Sequence, residues 1–178
     1  MASATTLLGA AGEYHVMAEL LRRGYIAALA PQGVPNADIV ATDLEGARLC
    51  SIQVKTRRDI GADGGWHMKS KHEDVRAERL FYCFVDFGKS PADRPLVHVL
   101  PSARVADALK SSHRKWLEKP GKRGQRHQDG PMRRFLPDYE GIFGSKDNPY
   151  PIGWLDVYRD AWHLLGLDQT AIEAEARP

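Results

Sequence analysis

The chain has 178 residues, 43% of them apolar and 27% charged, with a formal charge of +2. That length suits one domain with additions, the composition is ordinary for a globular protein, and the longest apolar runs fall far short of a membrane span. A pI near 8.6 is too mild to require a nucleic-acid partner, and Cys50 and Cys83, both in apolar strand-like runs, read as free core thiols rather than a disulfide or zinc framework.

The first residues lack the basic start and long apolar stretch of a secretory signal, so a cytoplasmic location is expected. Gly12 to Arg23 carries helical spacing, with Met17, Leu20 and Leu21 as its apolar stripe, Arg22-Arg23 in the last turn and Gly24 as the stop. Glu13, one turn before Met17, falls on the inner side, while Glu19 and the arginines face outward. Such a carboxylate either serves a site or simply favours the positive end of the helix dipole. Tyr25 to Ala30 reads as a strand, closed by the loop Pro31-Gln32-Gly33-Val34-Pro35.

A hairpin follows. From Ala47 to Lys55, alternation puts Cys50, Ile52 and Val54 on one face and Leu49, Ser51, Gln53 and Lys55 on the other. If Glu45-Gly46 forms a two-residue loop, Asp38 falls opposite Gln53, whose Cβ would lie about 4.5–5.5 Å away, and Asp38, Gln53 and Lys55 cluster. A three-residue loop would shift the register by one and separate them.

Arg57 to Gly65 leaves the sheet as a basic, glycine-rich loop that Trp66 to His72 continues. Such a loop either touches a nucleic-acid backbone or is simply solvated. Leu80 to Phe87 has the look of a central strand buried on both faces, and Pro95 to Pro101 is a further strand. Ser102 is the expected N-cap of a helix from Ala103 to about Glu118, with Val105, Leu109 and Trp116 on one side. From His113 to Arg134 basic residues outnumber acidic ones heavily, which fits a phosphate-tracking loop or a flexible surface loop. Tyr150 to Leu165 reads as a closing helix, with Leu155, Tyr158, Trp162 and Leu165 at helical spacing, and a charged tail begins at Asp168. The order predicts an α/β fold: one domain over 1–178, with a core over about 7–118, a basic loop over about 113–134 and a helical addition over about 150–167.

Glu13 on a helix, then Asp38, then Gln53-Val54-Lys55 on the next strand resembles the PD-(D/E)XK nuclease superfamily, the restriction-endonuclease-like group that includes Holliday junction resolvases. The likeness covers Gly12 to Thr56. It implies an α-β-β-β-α-β core with a central mixed sheet flanked by helices, and hydrolysis of DNA phosphodiester bonds with magnesium or manganese. Carried over by position, Asp38, Gln53, the Val54 carbonyl and Glu13 would hold the metal, and Glu13, Asp38, Gln53 and Lys55 form the catalytic set. Two positions depart from the pattern: Asn36-Ala37-Asp38 stands for Pro-Asp, and Gln53 stands where Asp or Glu is usual, as in a group of intron-encoded homing endonucleases. A neutral amide holds a hard cation less tightly than a carboxylate, so Glu13 has charge to restore.

The expected function is a metal-dependent DNA endonuclease of repair, recombination or restriction type. The alternative is a nuclease-fold module that has lost cleavage and binds nucleic acid or protein; a third reading makes Asp38 and Lys55 a mere surface salt bridge. DNA contacts are expected from Arg57, Arg58, Lys69, Lys71, Lys119, Lys122, Arg123 and Arg126. A homodimer is expected by analogy of fold, with no membrane partner.

Overall fold

Ser3 opens the first helix, its hydroxyl accepting the Thr6 N–H at 3.1 Å, so helix α1 (Ala4–Arg22) starts well before the Gly12 that apolar spacing alone indicates. The computed structural model describes residues 3–31, 33–60, 64–121 and 123–168. The buried stripe of α1 is Gly12, Val16 and Leu20, one turn apart, with Met17 packed beside it. Leu21, expected on that stripe, is 54% exposed, because the close approach of Gly12 to the sheet rotates the contact line away from it. Gly24, at φ +83°, ends the helix as expected.

Five strands form the central sheet: β1 (Ile26–Leu29), β2 (Ile39–Thr42), β3 (Leu49–Arg57) and, after β4 (Trp66–Lys69), β5 (Leu80–Asp86) and β6 (Leu96–Pro101). Their order is β1-β2-β3-β5-β6. All neighbours run antiparallel except β3 and β5, which run parallel. Helix α2 (Ser102–Glu118) follows β6. This mixed α/β sheet flanked by helices agrees with the expected core, and the helical piece between β3 and β5 among the described residues is a 3-10 turn over Ser70–Glu73. Ser102 does not cap α2 through its side chain; Pro101 precedes the helix, and the Ser102 hydroxyl instead donates to Ala77 O and accepts Ala77 N–H at 2.8 and 2.9 Å.

Each sheet face carries its own core. On one lie Val16, Leu20, Ile39, Ile52, Val54, Cys83 and Val99; both cysteines are free and buried. On the other, Tyr82, Phe84 and Leu100 pack under Val105 and Leu109 of α2. Every residue of β5 is buried, as its composition predicts.

Two expectations change. Trp66–Lys69 is not loop: β4 pairs antiparallel with β7 (Met132–Phe135), which lies inside the supposed basic loop. Trp66 is buried at 2% exposure and its indole N–H donates to Val85 O at 3.0 Å, so burial of one aromatic ring holds the ribbon against the sheet. The closing segment is not one α-helix either. After the short helix α3 (Glu140–Phe143) it makes two 3-10 turns, Asp156–Tyr158 and Trp162–Leu165, broken where Asp160 takes φ +49°. Arg159 bridges His98 on the edge strand β6, and the apolar residues divide: Leu155 packs with the α2-side core, Trp162 and Leu165 with the α1-side core. One straight helix could not cover both faces of a sheet, so the chain bends round its edge. Among the described residues, no helix is long and apolar enough to cross a membrane.

Candidate active site

The site begins with a register. Ile39 pairs with Ile52, which sets Asp38 opposite Gln53, and Asp38 N–H donates to Ile52 O at 2.9 Å. The connection is wider than the two-residue loop considered above, closing on Asp43 and Arg48, but the pairing is the same. Asp43 stabilises it: its carboxylate accepts the N–H groups of Ala47 and Arg48 at 2.8 and 3.3 Å, an Asx-type closure that holds a turn for which Glu-Gly is a weak former.

Asp38 Oδ2 accepts hydrogen bonds from the Gln53 amide and from Val54 N–H at 2.7 Å. Because a strand residue's N–H and C=O leave on the same edge, the Val54 carbonyl is directed to the same side. Glu13 reaches these groups from α1. Its carboxyl is pushed above the ordinary range by partial burial and by the Asp38 charge, with Lys55 opposing. Lys55 is pushed below its ordinary value chiefly by burial; Lys71 and Lys69 act the same way, while Asp38 and Glu13 oppose them. Glu13, Asp38 and Lys55 therefore sense one another's charge, and Gln53 joins them through its hydrogen bond to Asp38. Asp38 favours the charged form of Lys55, and Lys55 is half-buried rather than on a solvated sheet face.

Gly12 makes the approach of α1 close: a Cβ there would lie 1.9 Å from Thr56 Oγ1. Lys55 and Gln53 line a cavity of about 270 Å³ with His67, Lys69, Lys71 and His72. Lys71 donates to the Asn36 side chain at 3.0 Å, and Asn36 sits at φ +60°, a conformation asparagine tolerates. That bond fastens a cation two residues from Asp38. Sequence reading missed His72 and Tyr82, whose imidazole Nδ1 and hydroxyl are 2.7 Å apart and buried. His72 is pushed down to about 4 by burial and by Lys55, Lys71 and Lys69, so it is neutral at pH 7. Tyr82 is beside Gln53 in the parallel register; no local signal marks it, since its role comes from pairing with a distant strand.

The expected DNA contacts divide. Lys69 and Lys71 are exposed at the site. Arg57 is held structurally, pairing with Asp86 at 2.6 Å and lying 4.3 Å from the Trp66 ring centroid. Arg58 donates to Lys89 O at 2.5 Å and Lys119 to Gly141 O at 3.2 Å. Arg126 belongs to a local bridge with Pro120, Arg123 is exposed beside it, and Lys122 lies outside the described residues.

The donors near Asp38 are oxygens, the type a hard divalent cation takes: Asp38 Oδ1, which accepts no hydrogen bond among the described residues, the Glu13 carboxylate, the Val54 carbonyl and the Gln53 amide oxygen. No group of three His, Cys, Asp or Glu side chains suited to a metal occurs among the described residues; the set here has two carboxylates. Gln53 now turns its NH₂ to Asp38; reversing the amide would present its oxygen instead. The set fits a magnesium-like ion.

Comparison with protein families and with curated proteins finds no match. Among solved structures the chain is similar to the bacterial homing endonuclease I-Ssp6803I, at 19% identity over 99% of this chain and 100% of that one, with a TM-score of 0.49. It is also similar to Hjc, a Holliday junction resolvase of Archaeoglobus fulgidus, at 16% identity over 76% and 86%, with a TM-score of 0.41. Likenesses at this level carry no weight on chemistry, which rests on the side chains above.

Proposed function

We propose that this protein is a metal-dependent DNA endonuclease that hydrolyses phosphodiester bonds in repair, recombination or restriction. The observation that carries the reading is the Asp38–Gln53–Val54 hydrogen-bond cluster with the Glu13 and Lys55 charges acting on it, beside a cavity lined by Gln53, Lys55, Lys69 and Lys71. Two carboxylates, an amide and a half-buried ammonium have no packing task there.

Asp38, Gln53 and the Val54 carbonyl, with Glu13 acting through a bound water, would hold magnesium or manganese, which when bound neutralises phosphate charge and lowers the pKa of a water. Lys55 orients the attacking oxygen and stabilises charge on the phosphate. Gln53 cannot take a proton, so Glu13, whose pKa is already raised, is the group suited to general base work. Lys69 and Lys71 bind flanking phosphates. Cutting both strands needs two sites, so the active form is proposed to be a homodimer, checked by sedimentation with DNA.

Incubation with plasmid, branched and single-stranded DNA in magnesium or manganese tests the reading. Cleavage should fall roughly 10²-fold or more in Asp38→Ala and in Lys55→Ala. If no substrate is cut, and Gln53→Glu confers no cleavage while DNA is still bound, the protein is a binding module instead.

A further inference from the structure

A second cavity, of about 470 Å³, opens between α2 and the β4–β7 ribbon. Leu109, His113 and Trp116 of α2 line it with Ile142 of α3, and the ribbon contributes His67, Met132, Arg133 and Arg134. His67 and Met132 also line the cavity that holds Gln53 and Lys55, so the two spaces share a wall. The catalytic cavity is lined by lysines, whereas this one is lined mostly by rings and aliphatic groups.

We propose that this cavity receives one unpaired nucleobase of the DNA whose phosphate lies at Asp38 and Lys55. The inference rests on the nuclease reading and names the kind of DNA such a site would take. Three observations carry it. The cavity is within the size range of small-molecule sites and combines an apolar lining with few polar groups, as a base requires. Its wall is already a stacking surface: Trp116 stacks with His127 at 3.9 Å and 26°, and with His113 at 5.4 Å and 25°. His113 is in turn fixed by Asp129 at 2.8 Å. Finally, the ribbon face where Lys69 pairs with Met132 and His67 with Arg134 carries a cation into each space, Lys69 lining the first cavity and Arg134 the second. A backbone crossing that ribbon would be neutralised while its base turned inward. A stacked base inside a duplex cannot enter such a space; one that is unpaired, or swung out of the helix, can.

The test is equilibrium binding of labelled DNA to the full chain in EDTA, where metal-dependent cleavage does not interfere, read by fluorescence anisotropy. A duplex with a single unpaired nucleotide should bind roughly tenfold more tightly than the same duplex fully paired. Trp116→Ala should bring that ratio close to one, and Trp116→Phe should keep it. Ile142→Trp, which fills the cavity from α3 and leaves the stacked rings in place, should also abolish the preference. Lys69→Ala should weaken both DNAs alike. Equal binding of the two DNAs by the unaltered protein overturns the pocket and leaves the nuclease reading standing, as does an unchanged ratio in both Trp116→Ala and Ile142→Trp. Failure to bind either DNA likewise overturns the pocket, while the nuclease reading is decided separately by cleavage in magnesium or manganese.

Discussion

Glu13 and Lys55 are displaced in opposite directions, and the signs have a consequence for stability. Glu13 is raised by burial and by Asp38, so its carboxylate costs the fold nothing below the ordinary value of 4.5; the cost grows as pH rises and is complete above the folded value. Lys55 is lowered by burial, so its charge costs stability at all pH below its folded value, and the cost fades as pH rises towards 10.5. At neutral pH both charges strain the fold. Glu13→Gln is therefore expected to raise the thermal midpoint at pH 7 by about 2–4 °C, kept small by partial solvation, and to reduce cleavage. Melting curves on both sides of pH 4.5 check it: the gain should disappear on the acid side, and a loss at pH 7 would show that Glu13 makes a stabilising contact. For the same reasons kcat/KM should have an acid limb above the ordinary carboxylate range and an alkaline limb below the ordinary lysine value, and Glu13→Gln should remove the acid limb. Asp38, Gln53 and Lys55 were legible because strand alternation and register are local arithmetic. Asn36, His72 and Tyr82 were not, because the bonds that matter join them to other elements.

At the scale of elements, the contact of α1 with β3 delivers Glu13 to the site. Gly12→Ala puts a methyl 1.9 Å from Thr56 Oγ1, so either the Thr56 side chain must turn away or α1 must move off the sheet. The expected cost is about 1–3 kcal/mol by denaturant unfolding, with a fall in kcat that exceeds the effect on DNA affinity. Thr56→Ala in the same chain should recover much of both. If Gly12→Ala unfolds like the unaltered protein and cuts DNA normally, the close approach has no part in placing Glu13. The ribbon of β4 and β7 illustrates why some elements escape sequence reading. Trp66-His67-Met68-Lys69 does alternate apolar and polar, but over only four residues, and its partner strand lies inside a basic run far along the chain. The closing segment failed differently: its helical spacing was real, yet the residues that produced it pack on opposite faces of the sheet.

Over the whole molecule, a formal charge of +2 conceals a sorting of cations by role. Arg133 is 5% exposed and paired with Glu73 at 2.6 Å, and Arg57 is paired with Asp86; both are structural, while Lys69 and Lys71 are exposed beside Gln53 and Lys55. Binding measured against salt should separate the classes. Lys69→Ala should reduce the slope of log K on log salt by about 1 with little change in stability. Arg57→Ala should leave the slope unchanged but destabilise the protein by about 3 kcal/mol, since Asp86 is left buried without its partner; a reduced slope would return Arg57 to the DNA surface. By itself the sequence determined the helix-then-hairpin order and the core face of β3, because periodicity depends on neighbours in the chain, whereas the pairing of Asp38 with Gln53 stayed conditional on the loop until the structure showed the register. Only the tertiary structure decided which cations are locked, where His72 and Tyr82 stand, and that a second cavity opens beside the first. Those depend on contacts between residues far apart in sequence, which no local pattern encodes.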